Sequence, residues 1–166
     1  MHARIAGPTQ SQIARSPRER VLVLGRRIGE ESVARWCAEL LLRTVRIDDP
    51  GRPSIVWLGG RSAAAEIRRG RLASPVNEYW ARVWGARGLM YVWVPGADTA
   101  VLAGLRDPAW RVREMSAKVV RVRGIARAEQ ILSRMLDDSV ARVRGAADSA
   151  LAALLALEDH AGLTDG

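Results

Sequence analysis

The chain has no phenylalanine, one lysine, one cysteine and two histidines. Cys37 stands alone, which excludes an intramolecular disulfide, and no neighbouring cysteine or histidine offers it a metal or redox partner. His2 and His160 fall in ends that the sequence predicts to be mobile, so neither has the rigid setting that a general base or a metal ligand requires. No H-E-x-x-H string occurs, and the residues imply no cofactor and no metal. No stretch reaches the roughly 18 to 20 uninterrupted apolar residues that a membrane helix needs. The opening "MHARIAGPTQSQ" also lacks an apolar signal core. With its cysteine usage, the chain therefore reads as a cytoplasmic protein without a membrane segment.

What is present is ordinary for a folded chain: 166 residues, 48% hydrophobic and 27% charged, enough for one compact domain or a short stack of repeats. The net charge is +8, unevenly spread: residues 1 to 71 contribute +7 and residues 72 to 166 only +1. Arginine carries nearly all of it, since Lys118 is the only lysine. The basic field thus belongs to the N-terminal half.

The periodicity is helical throughout. Ser16-Pro17-Arg18-Glu19 combines a capping serine, proline at the first helical position and glutamate three residues after the cap, which predicts a helix start. Its apolar positions Val21, Leu24 and Ile28 lead to Gly29, a predicted stop. A second helix follows, with Val33, Trp36, Cys37, Leu40 and Leu41 on one stripe and Cys37 read as a buried structural thiol. "DDPGRP", residues 48 to 53, marks the strongest break, and "SIVWLGG" after it is read as helix because nothing nearby supplies a partner strand. "GRRIGE" and "GGRS" have neither a leading strand nor a following G-K-[ST], so they are read as helix-capping glycines and not as nucleotide loops. Ser74-Pro75 and Asp107-Pro108 predict two further helix starts, and Pro95-Gly96 falls between helices.

Residues 107 to 120, "DPAWRVREMSAKVV", and 138 to 151, "DSVARVRGAADSAL", align at an offset of 31. Asp107 then meets Asp138, Arg113 meets Arg144, Ser116 meets Ala147 and Val120 meets Leu151. One step back, Arg82, Gly85 and Leu89 fall under Arg113, Ser116 and Val120, although Val76 stands where the aspartate would be. Ser74 and Asn77 are the expected substitutes there. An aspartate in the turn, Val-Arg, small residues and an aliphatic pair resemble the HEAT repeat family, in particular its short bacterial members. The resemblance covers residues 74 to 157, with "ARWCAELLL", residues 34 to 42, as a degenerate further copy.

The resemblance implies an all-α fold, a short α-solenoid of antiparallel helix pairs whose second helices span 76 to 92, 108 to 121 and 139 to 156. Asp107 and Asp138 would cap those helices, and Arg113 and Arg144 would pair acid with base between repeats. The expected organisation is a flexible tail over 1 to 15, an irregular helical part over 16 to 73, the repeats over 74 to 157 and a second tail over 158 to 166.

The function that follows is non-enzymatic: a scaffold that binds a protein partner on the second-helix surface. Trp80, Trp84, Trp110, Arg111 and Arg142 combine the aromatic and arginine types that dominate binding hot spots. A second expectation is nucleic-acid binding through Arg26, Arg27, Arg68, Arg69 and Arg71. Least favoured is the DNA glycosylase activity of a HEAT-like enzyme group, for which only Trp80, Trp84, Trp110, Arg111 and Asp107 are available.

Overall fold

A computed structural model describes residues 5–162, and among them every regular element is helical. Thr9 and Gln12 form a capping box that starts α1 (Gln10–Ile13), and Ser16 and Glu19 form the one expected at α2 (Pro17–Ile28). Gly29, at φ 91°, ends α2 by donating its N–H to the Gly25 carbonyl at 2.8 Å and leads directly into α3 (Glu30–Leu42). The helices α4 (Val56–Arg68), α5 (Tyr79–Leu89), α6 (Ala97–Gly104) and α7 (Trp110–Arg123) follow. A 3₁₀ turn over Ala126–Ala128, α8 (Glu129–Met135) and α9 (Ala141–Gly162) complete the order.

The helices α3, α5, α7 and α9 pack in sequence, α3 on α5, α5 on α7 and α7 on α9. Behind them α6 lies against α3 and α7, while α8 lies against α9. At the N-terminal end α2 joins α3 to α4, and α4 also touches α5. The apolar stripe read for α3 is buried as expected, with Val33, Trp36, Cys37, Leu40 and Leu41 all at 4% exposure or less. Small residues permit the close approaches: a Cβ at Gly85 would lie 2.7 Å from the Cys37 carbonyl oxygen, so α5 meets α3 backbone to backbone.

Several boundaries differ from the sequence reading. The tail assigned to residues 1 to 15 is structured from residue 5 onward: α1 lies within it, and the Ala6 carbonyl accepts the Trp57 indole N–H at 3.2 Å. His2 lies outside the described residues. At the other end α9 runs through the region assigned to a tail, as far as Gly162. The second helices begin two or three residues late, because the expected starts are turns. Asn77 and Glu78 N–H both donate to the Ser74 carbonyl at 2.9 Å, and α5 starts only at Tyr79. Asp107 and Asp138 are not helix caps. Each accepts the N–H two residues on, Ala109 at 2.8 Å and Val140 at 2.9 Å, holding a turn that delivers the chain to the helix.

Candidate functional site

The offset of 31 aligns Tyr79 with Trp110, and Trp80 with Arg111 and Arg142, all in the opening turns of α5, α7 and α9. Because α5, α7 and α9 pack side by side, these positions form one ridge. The Arg111 guanidinium lies 4.2 Å from the Trp110 ring, 5.5 Å from Trp80 and 6.0 Å from Tyr79. Arg142 continues the row, 5.6 Å from the Trp110 ring. Each cation sits within stacking reach of an aromatic face, and among the described residues no hydrogen bond engages the Arg111 guanidinium, whose polar edge stays available.

Beneath the ridge lies Glu114, 7% exposed, which accepts Arg142 Nη2 at 3.0 Å, Arg142 Nε at 3.2 Å and Lys118 Nζ at 2.8 Å. Burial pushes the Glu114 carboxyl upward, but Lys118 and Arg142 together outweigh it and hold the group below the ordinary carboxylate range. The buried anion therefore anchors Arg142, whose side chain is otherwise 67% exposed.

Of the five residues expected to contact a protein, Trp80, Trp110, Arg111 and Arg142 come together on this ridge. Trp84 does not: it is 3% exposed and supports Trp80 from within, ring on ring at 5.9 Å. The sequence reading missed Tyr79 and Glu114. Tyr79 was visible in the alignment, under Trp110; Glu114 was not, because its aligned positions hold Val83 and Gly145.

An acid–base ladder runs forward between repeats, with Arg113 as one base as expected but with Arg82, not Arg144, as the other: among the described residues no ion pair engages Arg144. Arg82 binds Asp107 through Nε at 2.7 Å and Nη2 at 3.2 Å, with both side chains 6% exposed. Thirty-one residues on, Arg113 binds Asp138 in the same way, at 2.8 and 3.1 Å. Arg113 also donates to the Asp107 carbonyl at 2.9 Å, and Arg144 repeats that bond to the Asp138 carbonyl at 2.7 Å. Arg43, at the end of α3, adds a longer contact of 3.5 Å to Asp107. Asn77 and Ser74 do not stand in for the missing aspartate; the Asn77 amide reaches Glu66 instead, at 3.4 Å.

The basic N-terminal residues divide. Glu66 gathers Arg69 at 3.2 Å and Arg71 at 2.9 Å, and these bonds, Arg71 first, hold its carboxyl below the ordinary range against some upward push from burial. Arg27 lies 4.9 Å over the Trp57 ring, while Arg26 and Arg68 are exposed. Cys37 is fully buried, and desolvation pushes its thiol up to about 12. His160 contacts the Ala156 carbonyl of its own helix at 2.6 Å. Among the described residues no three His, Cys, Asp or Glu side chains are grouped to hold a metal, and no helix is long and apolar enough to cross a membrane. A cavity of about 620 Å³ lies away from the ridge, between residues 5 to 7, the 47 to 55 loop, Ile67 and Leu72.

Fold and site together define an all-helical chain bearing an arginine and aromatic ridge. It matches no protein-family model, no curated protein and no solved structure.

Proposed function

We propose that the chain is a short HEAT-like α-solenoid that works as a non-enzymatic scaffold, capturing a protein segment rich in carboxylates along the ridge of Tyr79, Trp80, Arg111, Trp110 and Arg142. The solenoid reading is supported by the two ladder rungs repeated at 31 residues and by the succession of α3, α5, α7 and α9. At the outer face of α9, the exposed Asp148 replaces Ala86 and Ala117, which are both buried in α5 and α7. A polar outer face is what the terminal unit of such a stack requires.

The observation that carries the binding function is the ridge itself. It offers half-buried aromatic surface and two guanidiniums, and the carboxylate beneath it, Glu114, is buried and already engaged. Aromatic and arginine side chains held rigidly are the commonest centres of binding energy. Carboxylates complete the guanidinium edges with paired hydrogen bonds.

The competing readings draw less from the same residues. Asp107 is 7% exposed and held by Arg82, Arg43 and the Ala109 N–H, so it presents no carboxylate to a base. Nucleic-acid binding through the five N-terminal arginines loses two cations to Glu66. Selection of a displayed random-peptide library on the wild-type protein, with counter-selection on the folded Trp110→Ala/Arg111→Ala variant, tests the proposal. Enrichment of acidic peptides that bind only the wild type supports it; enriched peptides that bind both proteins equally refute it.

A further inference from the structure

Arg20 is 5% exposed and forms no ion pair among the described residues. Its Nε donates to the Trp57 carbonyl at 3.1 Å, Nη2 to the Leu58 carbonyl at 3.2 Å, and Nη1 to the Ile13 and Arg15 carbonyls. Gly60 makes room for it. This residue has φ 58°, and a Cβ there would lie 2.6 Å from Arg20 Cζ. Of the two glycines of "GGRS", Gly60 has the non-helical backbone, and it kinks α4 over a buried guanidinium.

From α5, Arg87 brings a second guanidinium to the same Leu58 carbonyl, at 2.8 Å. Carbonyl oxygens satisfy hydrogen bonds, but among the described residues neither cation has an ion-pair partner, an expensive arrangement in a partly dry site. Burial pushes both guanidiniums below their ordinary range, and at Arg20 the charge of Arg87 adds to the fall. A cavity of about 310 Å³ opens onto this pair. Its wall adds Arg15, Arg61 and Ser62, and among the described residues no acidic one lines it. Among the described residues, no hydrogen bond or ion pair engages the Arg15 or Arg61 side chain. Arg87 commits only one of its N–H donors, to Leu58.

We propose that this cavity binds a phosphate-class oxyanion, held by Arg87, Arg61, Arg15 and the Ser62 hydroxyl above the fixed positive base of Arg20. Guanidinium forks match phosphate oxygens in pairs, and the bound anion supplies the missing counter-charge. Charge reversal at Arg61, which is exposed, leaves the buried hydrogen bonds of Arg20 intact.

The experiment titrates inorganic phosphate by isothermal calorimetry at constant ionic strength, with chloride as the balancing salt. Wild-type protein is expected to bind phosphate, Arg61→Glu to bind it at least tenfold more weakly, and Arg68→Glu, which carries the same charge change outside the cavity, to bind as the wild type does. No binding by the wild type, or equal weakening in both variants, overturns the proposal. Circular dichroism and thermal unfolding of the same samples verify that each variant is folded, and Arg15→Gln provides a second, charge-neutralising test with the same expected direction. A further arm compares 5′-phosphorylated with unphosphorylated ten-nucleotide DNA. An Arg61-dependent preference for the phosphorylated strand makes a nucleic-acid end the source of the phosphate; no preference, with inorganic phosphate still bound, makes the source a small phosphorylated molecule.

Discussion

Arg82 on α5 and Asp107 in the turn before α7 form a two-point ion pair shielded from solvent, and Arg113 and Asp138 repeat it 31 residues later. The first rung is the more deeply buried, with both side chains at 6%, against 17% and 10% for the second. Removing one member of a buried pair strands the other charge. Asp107→Ala should therefore destabilise the protein by about 3–5 kcal/mol. Asp138→Ala should destabilise it by less, about 1.5–3 kcal/mol, on the scale of hydrogen bonds to a charged group. Urea unfolding of the two variants checks the order.

The second rung also sets a pH dependence. Hydrogen bonding to Arg113 first, then to the Val140 N–H, holds Asp138 below its ordinary value of 3.8 despite an upward push from burial. A carboxyl lowered by folding contributes stability above its unfolded pKa and loses it as pH falls through the folded one. Below about pH 4 the wild type should therefore lose stability that Asp138→Asn has already lost, so the two denaturation midpoints converge in acid. Midpoints measured at pH 7 and pH 3 test this.

Trp80 and Trp84 are one helical turn apart on α5 yet should behave oppositely. Trp84 is 3% exposed, and a Cβ at Gly59 would come within 2.8 Å of its ring, so α4 closes over it. Trp84→Ala should destabilise the fold by about 3–5 kcal/mol, as for other buried aromatics. Trp80→Ala, at the half-buried ridge, should have a smaller effect on unfolding.

Repeat arithmetic made the ladder and most of the ridge legible, since residues that align at 31 come to neighbouring positions on packed helices. Helix starts were less legible because Asp107 and Asp138 bind N–H groups in the turn, a choice that the same residue type leaves open. The sequence left the face shared by Trp80 and Trp84 open between core and binding surface, and the burial of Trp84 settles it for that residue. That burial depends on α4, whose sequence carries no repeat signal and whose kink at Gly60 follows from the distant Arg20. Likewise Ala6 is held by Trp57, a contact across 51 residues that no local pattern announces.

Cys37 provides a probe of the core. Its thiol, fully buried and pushed up to about 12, should not react with a disulfide reagent in the native protein at neutral pH and should react fully on unfolding. Gly88 touches it closely, for a Cβ there would lie 2.5 Å from the sulfur. Gly88→Ala should therefore overpack the contact between α3 and α5, destabilise by about 1–3 kcal/mol, and make the thiol react faster. Timed labelling of both proteins reads out the difference.

The most direct measurement of the proposed function is the affinity of one selected acidic peptide, by calorimetry, for the wild type, Arg111→Ala, Arg142→Ala and the control Arg26→Ala. The ridge account predicts a loss of tenfold or more, about 1.4 kcal/mol, for each ridge variant and no change for the control. Unchanged affinity in both ridge variants, or an equal loss in the control, would contradict it.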